Sequence, residues 1–280
     1  MRGLPLRNRH DKRHDKRHNG WHDHRRNQRL IYHLDLLSVL LAKELKVRYK
    51  NSILGYLWSL LNPLTMALIF YFAFKVILRV PIENYSFFLI TGLFPWQWFS
   101  NSVSSSTGIL LGNASIIKKV NFPRHFIPLA NVLNDLTHFL LTIPVIAGFG
   151  LFFGVYPTLW WFVGIPALIL AQFLITYGLS LFVASANLFF RDLERLVGIF
   201  LMVLFYGTPI FYDLTLVPES LRAYLYLNPM TGIISCWREL FLKGSFYFSF
   251  YIIYLSYALL VFLFGLFVFR KLSPRFAEVL

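Results

Sequence analysis

Long apolar stretches, separated by short polar segments, make up most of the chain after about residue 54. A helix of about 20 apolar residues is long enough to cross the hydrocarbon core of a bilayer. The pattern therefore predicts an all-α integral membrane protein with six transmembrane helices. The predicted spans are Leu54–Leu78, Phe87–Leu111, Phe126–Phe153, Leu159–Phe190, Leu196–Phe211 and Phe246–Phe269.

An amphipathic segment precedes the first span. Leucines recur at helical spacing from Leu30 to Leu45, opposite a polar side that includes Asp35, Lys43 and Lys46. This pattern predicts an N-terminal helix over residues 30–50 that lies along the membrane surface. The alternative is a short soluble helix packed on a partner. The direct continuation into a span favours the membrane surface.

Two segments between the spans are also amphipathic. Gly112–Pro128 mixes large apolar residues with lysine and arginine, and predicts a helix at about residues 115–124 that docks into a groove on a soluble partner. Alternatively, this loop is basic only because it lies on the cytoplasmic side. Tyr212–Ser245 predicts two short helices at about residues 218–244, divided by Pro229, which re-enter the outer leaflet or lie along it.

Composition and charge agree with this interpretation. The chain is 57% hydrophobic and 14% charged, whereas soluble proteins carry about 25% charged residues. The net charge of +14 does not indicate nucleic-acid binding, because the cations lie between the apolar stretches and at their ends. Most fall on the side of both termini, which the positive-inside rule makes cytoplasmic. The lysines and arginines predicted on the other side are Lys75, Arg79, Arg222, Arg238 and Lys243.

Residues 1–29 differ from the rest of the chain. They are basic and rich in histidine, and they lack the apolar core of a signal peptide. With almost nothing to bury, this tail is predicted to be disordered. The repeat HDKRHDKRH has the composition to chelate a divalent metal. A solvated basic tail near anionic lipid is the favoured interpretation, and no metal site is predicted.

No catalytic motif is present. The chain lacks the phosphate loop GxxxxGK(S/T) and the zinc motif HExxH, and its single cysteine, Cys236, excludes an internal disulfide. We therefore predict a non-enzymatic subunit without catalytic residues or a cofactor of its own. Asp135 and His138 in the third span either line a polar conduit or satisfy neighbouring helices, and the second reading is favoured.

Aromatic residues are concentrated in the first, second and fifth spans. Sugar rings present C–H faces that stack on aromatic rings, so an aromatic-lined pore would pass a glycan without holding it tightly. The alternative is an aromatic belt at the membrane interface. The candidate pore-lining residues are Trp58, Phe70, Tyr71, Phe74, Trp96, Tyr206 and Phe211.

Several segments together resemble one family. RYKNSILGYLWSLLNPL at Arg48–Leu64, GLFPWQWFSNSV at Gly92–Val103 and IIKKVNFPRHFIPL at Ile116–Leu129 are similar to the permease subunit of polysaccharide and polyol-phosphate ABC exporters. The resemblance continues through Asn187–Tyr212, Leu227–Leu240 and Ser273–Leu280. It covers about residues 30–280, and these exporters carry O-antigen, capsule and teichoic-acid chains. The histidine-rich tail lies outside it.

The resemblance implies a homodimer of permeases in the bacterial inner membrane, paired with two soluble ATPases that bind ATP and Mg. It divides the chain into the tail at 1–29, an interface helix at 30–50 and a six-span permease domain at 51–280. The implied interface residues are Leu34, Leu37, Leu41, Glu44 and Arg48. The implied coupling helix, which contacts the ATPase, comprises Ile116, Ile117, Lys118, Lys119, Val120, Asn121, Phe122 and Pro123. Residues 218–244 look like outer gate helices.

The implied substrate is a glycan on a polyprenyl diphosphate lipid, made in the cytoplasm. Lys46, Arg48 and Lys50 either attract the diphosphate or only anchor the membrane topology. Three other functions stay open at this point: a drug or lipid exporter permease of the same fold, an independent secondary carrier, and a membrane glycosyl- or lipid-transferase. The few ionisable residues within spans disfavour the carrier, and the sparse external acids disfavour the transferase.

Overall fold

The computed structural model describes residue 32 and residues 35–46, 55–120 and 122–280, with the side chains of Tyr56 and Ser59 excepted. This part of the chain is helical and contains no strand. The predicted tail at 1–29 lies outside it. So do Leu34, Arg48 and Lys50 among the candidate site residues, and Asn121 of the coupling segment.

The helices follow the predicted apolar stretches closely. Helix α1 covers residues 35–46. The remaining helices are α2 (Trp58–Phe70), α3 (Tyr85–Gly112), α4 (Ala114–Lys119), α5 (Phe126–Phe152), α6 (Trp160–Phe189), α7 (Leu193–Gly207), α8 (Glu219–Tyr226), α9 (Pro229–Lys243), α10 (Phe248–Leu272) and α11 (Phe276–Val279). Helix α2 continues as a wider π-type helix over Tyr71–Ile77.

Four helical segments of the described chain are long and apolar enough to cross a membrane: Leu60–Ile77, Phe126–Phe152, Trp160–Phe189 and Phe248–Val279. Helix α3 is 28 residues long, but a polar run from Ser100 to Thr107 lowers its apolar character. Helix α7 has only 15 residues. The predicted multi-span helical architecture is confirmed for four helices, and the count of six stays a prediction.

Helix α3 is the centre of the bundle. Residues are buried along its whole length, from Tyr85 at its start to Leu110 near its end. It packs against α2, α5, α6, α7 and α9. Ser102, Ser106 and Thr107 of its polar run are buried in the bundle, whereas Asn101, Ser104 and Ser105 are exposed. Packing against neighbouring helices therefore accommodates part of the polar run.

Buried apolar residues form two clusters. The main cluster joins α3, α9 and the facing parts of α5, α6 and α10. The end cluster gathers Leu40 of α1, Ile117 of α4, Phe122, and Phe276 of α11 around the ends of α3, α6 and α10. It therefore brings together the elements predicted to lie on the cytoplasmic side.

Candidate functional site

Helix α4 is held by one apolar side and exposes the other. Ile117 and Phe122 are buried in the end cluster, whereas Lys118, Lys119 and Val120 are exposed. The segment is therefore anchored by its buried residues, and its exposed surface is basic and partly apolar. This geometry fits the predicted docking role.

The helical part of this segment is shorter than the predicted 115–124. It ends at Lys119, and Val120 is extended, with φ −122° and ψ 131°. Pro123 accounts for part of this, because the residue before a proline is disfavoured in helical conformation. Arg124 and His125 form a turn that leads into α5.

Asn113 joins α1, α3 and α4. Its side chain donates to the Ile109 carbonyl oxygen at 2.8 Å and accepts from the Lys43 ammonium group. Its own carbonyl accepts from the backbone nitrogen of Ile116 at 3.0 Å. One buried asparagine therefore connects all three helices.

The predicted interface helix packs on the same end of the bundle. Leu40 is 4% exposed in the end cluster, and Leu37 and Leu41 pack against it. Glu44 is half-buried beside Lys43 at 3.6 Å, and Lys46 is exposed. Of the three cations predicted to contact a lipid diphosphate, only Lys46 lies within the described residues.

The C-terminal end braces this region from the other side. Arg124 donates to the carbonyl oxygen of Ser273, and its guanidinium lies 6.0 Å from the ring centre of Phe276. The Tyr177 hydroxyl donates to the carbonyl oxygen of His125 at 3.2 Å. The turn between α4 and α5 is therefore tied to α6, α10 and α11.

Most of the predicted pore-lining residues come together. The rings of Phe70, Phe74 and Phe211 lie 5.1–6.0 Å apart, centre to centre. Tyr206 is 5.8 Å from Phe211. These ring contacts connect α2 and its π-type continuation to α7 and to the segment that follows α7. We call these residues, with Phe205 and Trp96, the aromatic cluster.

Sequence reasoning missed Phe205, which is central to this cluster. Its ring lies 5.8 Å from Phe70, 5.6 Å from Trp96 and 5.9 Å from Phe211. No local signal distinguishes it from the other phenylalanines of the fifth span. Trp96 is only 5% exposed, whereas Trp58 is 48% exposed and makes no ring contact among the described residues. Tyr71 is half-buried beside the main cluster.

The predicted division at Pro229 is confirmed: α8 ends at Tyr226 and α9 begins at Pro229. Asn228 caps α9 by accepting from the Met230 backbone nitrogen at 3.0 Å, and it donates to Thr208 at 2.8 Å. Helix α8 has no buried residue. Helix α9, in contrast, inserts deeply into the main cluster, where Trp237 and Phe241 are fully buried.

Arg238 is a buried cation that the sequence did not single out. Its guanidinium donates to the carbonyl oxygens of Pro209 and Ile210. It lies over the ring of Phe88, 3.6 Å from the ring centre. Arg238 thus connects α9 to the end of α7 and to α3. Only its distant partners reveal this role, because its local sequence is that of an ordinary amphipathic helix.

Asp213 lies on the segment between α7 and α8. Its Oδ1 accepts from the backbone nitrogen of Thr215 at 2.8 Å and from the Thr215 hydroxyl at 2.7 Å. Partial burial raises the pKa of Asp213. These hydrogen bonds and the charges of Arg238 and Lys243 outweigh burial, so the pKa is lower than usual. Asp213 is therefore an anion at neutral pH.

The polar residues of the third span form hydrogen bonds with the polar run of α3. Asn131 donates to the Ser102 carbonyl oxygen at 3.1 Å and to the Ser105 hydroxyl at 2.8 Å. The Ser102 hydroxyl donates to Asp135 at 2.8 Å. Both Asn131 and Asp135 are buried. The contacts therefore favour a structural role for this group over a polar conduit.

The sequence of the whole site corresponds to a known family. The profile of ABC-2 type transporters matches residues 35–242, from α1 to the end of α9. The chain belongs to the ABC-2 type transporter family. The matched part contains α4, the aromatic cluster, α8 and all but the last residue of α9.

Named relatives agree with this assignment of the chain as an ABC-2 transporter. An O-antigen export system permease protein, RfbA, of Klebsiella pneumoniae is 48% identical over 249 residues, which cover 89% of this chain and 96% of that protein. The RfbA protein of Myxococcus xanthus is 36% identical over 76% of this chain and 82% of its own length. The polysialic acid transport protein KpsM of Escherichia coli is 25% identical over 74% and 81%, respectively.

Proposed function

We propose that this ABC-2 transporter chain is the membrane permease of an O-antigen exporter. It moves a lipid-linked polysaccharide from the cytoplasm across the inner membrane. The observation that carries the proposal is the similarity to an O-antigen export permease over 96% of that protein's length, at 48% identity. The aromatic cluster supports a glycan cargo, because the C–H faces of different sugar rings can all stack on aromatic rings.

The energy source is a separate ATPase, and α4 is the contact through which its movement enters the permease. Two features support this role. Lys118, Lys119 and Val120 are exposed on a segment whose other side is buried. Asn113 and Arg124 connect that segment to α1, to α3 and to the end of α10. A displacement of α4 by the ATPase therefore reaches these helices.

The chain crosses the membrane six times, with both termini in the cytoplasm. Helix α3 is the second span, since its 28 residues measure about 42 Å at 1.5 Å per residue. Helix α7 with the segment after it is the fifth. Helices α8 and α9 then close the outer side as gate helices, which the deep insertion of α9 into the main cluster supports.

Two copies form the transporter. The face formed by α2 and α7 of one copy lies opposite the same face of the other copy, with the pore between them. The support is their unusual exposure. In the span Leu60–Ile77 only 11% of the residues are buried, and α7 buries only Val197 and Leu201. The aromatic cluster lies at this face. A cysteine at Met202 of α7, in a Cys236→Ser background, should form a cross-linked dimer that a cysteine at Leu260 of α10 does not form.

The substrate's diphosphate is attracted by Lys46 at the end of α1 and by the two cations that follow it in the sequence. Lys46 is exposed next to the end cluster, and Arg48 and Lys50 follow it in the sequence. Juxtamembrane cations contribute about 1 kcal/mol each toward anionic groups. Glutamine at all three positions should reduce export in a stable, correctly inserted protein. Normal export would show that these cations only anchor the topology.

Deletion of the gene tests the function. O-antigen should disappear from the cell surface, and lipid-linked glycan should accumulate on the cytoplasmic side of the inner membrane. Restoring the wild-type chain should reverse both effects. Unchanged surface O-antigen without accumulation would contradict the proposal and would favour a drug or lipid exporter of the same fold.

A further inference from the structure

A cavity of about 600 Å³ opens between the C-terminal half of α9, the start of α10 and the segment after α7. Sites for small molecules are commonly about 300–1,000 Å³. The aromatic rings of Tyr226, Tyr247 and Phe250 line part of its wall. This cavity is separate from the aromatic cluster, because the two share no lining residue.

Charged groups of both signs face the same space. Asp213, Arg238, Glu239 and Lys243 all line the cavity. Both hydrogen bonds to Asp213 go to Oδ1, so Oδ2 retains its capacity to accept. Among the described residues, the Lys243 ammonium group donates one hydrogen bond, to Glu239 at 2.6 Å, and it carries three N–H donors. Oδ2 of Asp213 and the other N–H groups of Lys243 thus remain for a ligand.

This charge pattern discriminates between kinds of ligand. Two carboxylates offset two cations, so a phosphate group would meet as much repulsion as attraction. An acyl chain would bury Oδ2 of Asp213 without a hydrogen bond, which is costly. A sugar hydroxyl both donates and accepts, so it matches a wall of carboxylate and ammonium groups. The sugar ring's C–H face matches the aromatic residues beside them.

We propose that this cavity is a glycan-binding subsite, which takes one or two uncharged sugar residues of the polysaccharide as the chain leaves the transporter. The proposal rests on the function and orientation proposed above. Together they place α8 and α9 on the outer side of the membrane. A weakly held sugar there opposes backward sliding of the chain between transport steps.

Protection from thiol labelling tests the subsite. Ser249 is exposed at the cavity and Ser220 is exposed on α8, away from it. Each is changed to cysteine in a Cys236→Ser background, since Cys236 is the only native cysteine. The permease–ATPase complex in lipid nanodiscs is labelled with a polar maleimide. The probe is a mixture of di- to tetrasaccharides released by partial acid hydrolysis of the cells' own surface polysaccharide.

The oligosaccharides should slow labelling of the Ser249→Cys protein. The effect should be about threefold at twice the dissociation constant, because the free fraction falls as 1/(1 + [L]/Kd). Labelling of the Ser220→Cys protein should not change. Equal labelling with and without sugar would overturn the proposal. Protection by added phosphatidylglycerol but not by sugar would also overturn it, and would assign the cavity to lipid.

A matched pair of tyrosines gives a second readout. Tyr247 lines the cavity and is 59% exposed, while Tyr224 on α8 is 70% exposed and lies outside it. In the Ser249→Cys background, Tyr247→Ala should abolish sugar protection, and Tyr224→Ala should preserve it. Protection that survives Tyr247→Ala would contradict stacking in this cavity.

The outcome for the subsite is separable from that for the proposed function. If deletion abolishes surface O-antigen but sugars do not protect Ser249→Cys, the chain exports glycan and the subsite is wrong. If deletion leaves surface O-antigen intact, the proposed function fails whatever the labelling shows.

Discussion

Gly178 of α6 and Gly265 of α10 bring the backbones of these two helices into direct contact. A Cβ atom added to Gly265 would lie 1.9 Å from the carbonyl oxygen of Gly178. A Cβ at Gly178 would lie 2.6 Å from the Cα of Phe262. Neither neighbour can move away as a flexible side chain does. Small residues at helix crossings in membranes allow this close packing.

Gly265→Ala should therefore force α6 and α10 apart. Overpacking of this kind costs about 1–3 kcal/mol, more than the roughly 0.5–1 kcal/mol that alanine gains over glycine within a helix. The midpoint of thermal unfolding in detergent should fall. Gly198→Ala on α7 is the control, because its Cβ would meet nothing within 4 Å. An unchanged midpoint for Gly265→Ala would mean that the helices are not in contact there.

Arg238→Gln should destabilise the region where α9 meets α3 and the segment after α7. The substitution removes two guanidinium donors from the carbonyl oxygens of Pro209 and Ile210. A buried acceptor left without its donor costs about 1–3 kcal/mol. Arg238→Lys should restore only part of the loss, since lysine lacks the planar fork. Thermal unfolding measures the effect.

Arg222→Gln provides the comparison for that experiment. Arg222 also donates to two carbonyl oxygens, those of Val217 and Thr215, and it lies 3.9 Å from Glu219 on α8, but its side chain is about one-third exposed. Because water can replace a donor at a surface site, the change should lie within about 0.5 kcal/mol. A drop for Arg222→Gln as large as that for Arg238→Gln would show that burial of the cation is not the cause.

Asn131→Ala should reduce stability without altering transport by the folded protein. The change removes this amide from the Ser102 carbonyl oxygen and the Ser105 hydroxyl. Because each keeps another hydrogen bond, the cost should be about 0.5–1.5 kcal/mol. Surface O-antigen per folded permease should stay constant, while the unfolding midpoint falls. A specific loss of export at unchanged stability would favour a polar conduit through this region instead.

Charge reversal on α4 should separate coupling from folding. Lys118→Glu with Lys119→Glu alters exposed groups, so the unfolding midpoint should change little. Co-purification with the ATPase and transport-linked ATP hydrolysis should both fall. Lys271→Glu, at an exposed site near the end of α10, is the control. Full ATPase binding by the double variant would contradict the proposed role of α4.

Asp213 should contribute to stability at neutral pH and lose that contribution in acid. Its pKa in the folded protein is lower than usual, so its hydrogen bonds and charge contacts are fully present above the unfolded value of about 3.9. They are lost as the pH falls through the lower, folded value. Between pH 7 and pH 5 its contribution to the free energy of unfolding should stay constant. Asp213→Asn should lower the midpoint at pH 7 and flatten its fall below about pH 4.

The sequence alone determined that the chain is helical and where several helices begin and end. Apolar length predicted spans at Phe126–Phe153 and Leu159–Phe190, close to the observed Phe126–Phe152 and Trp160–Phe189, because a span must be apolar over a fixed distance. Pro229 indicated the break between α8 and α9, since proline lacks the backbone donor that a helix interior needs. The mixture of cations and apolar residues predicted an amphipathic helix at α4 that docks on a partner.

The tertiary structure decided which residues meet. Hydropathy does not distinguish lipid from protein surroundings, so Trp96 and Trp58 looked alike, and only packing buries the first and exposes the second. Phe205 and Arg238 act through partners that are distant in sequence or belong to other helices. Asp135 finds its hydroxyl donor 33 residues away, at Ser102. A one-dimensional pattern specifies where the chain can be helical, but a site depends on which helix faces pack together.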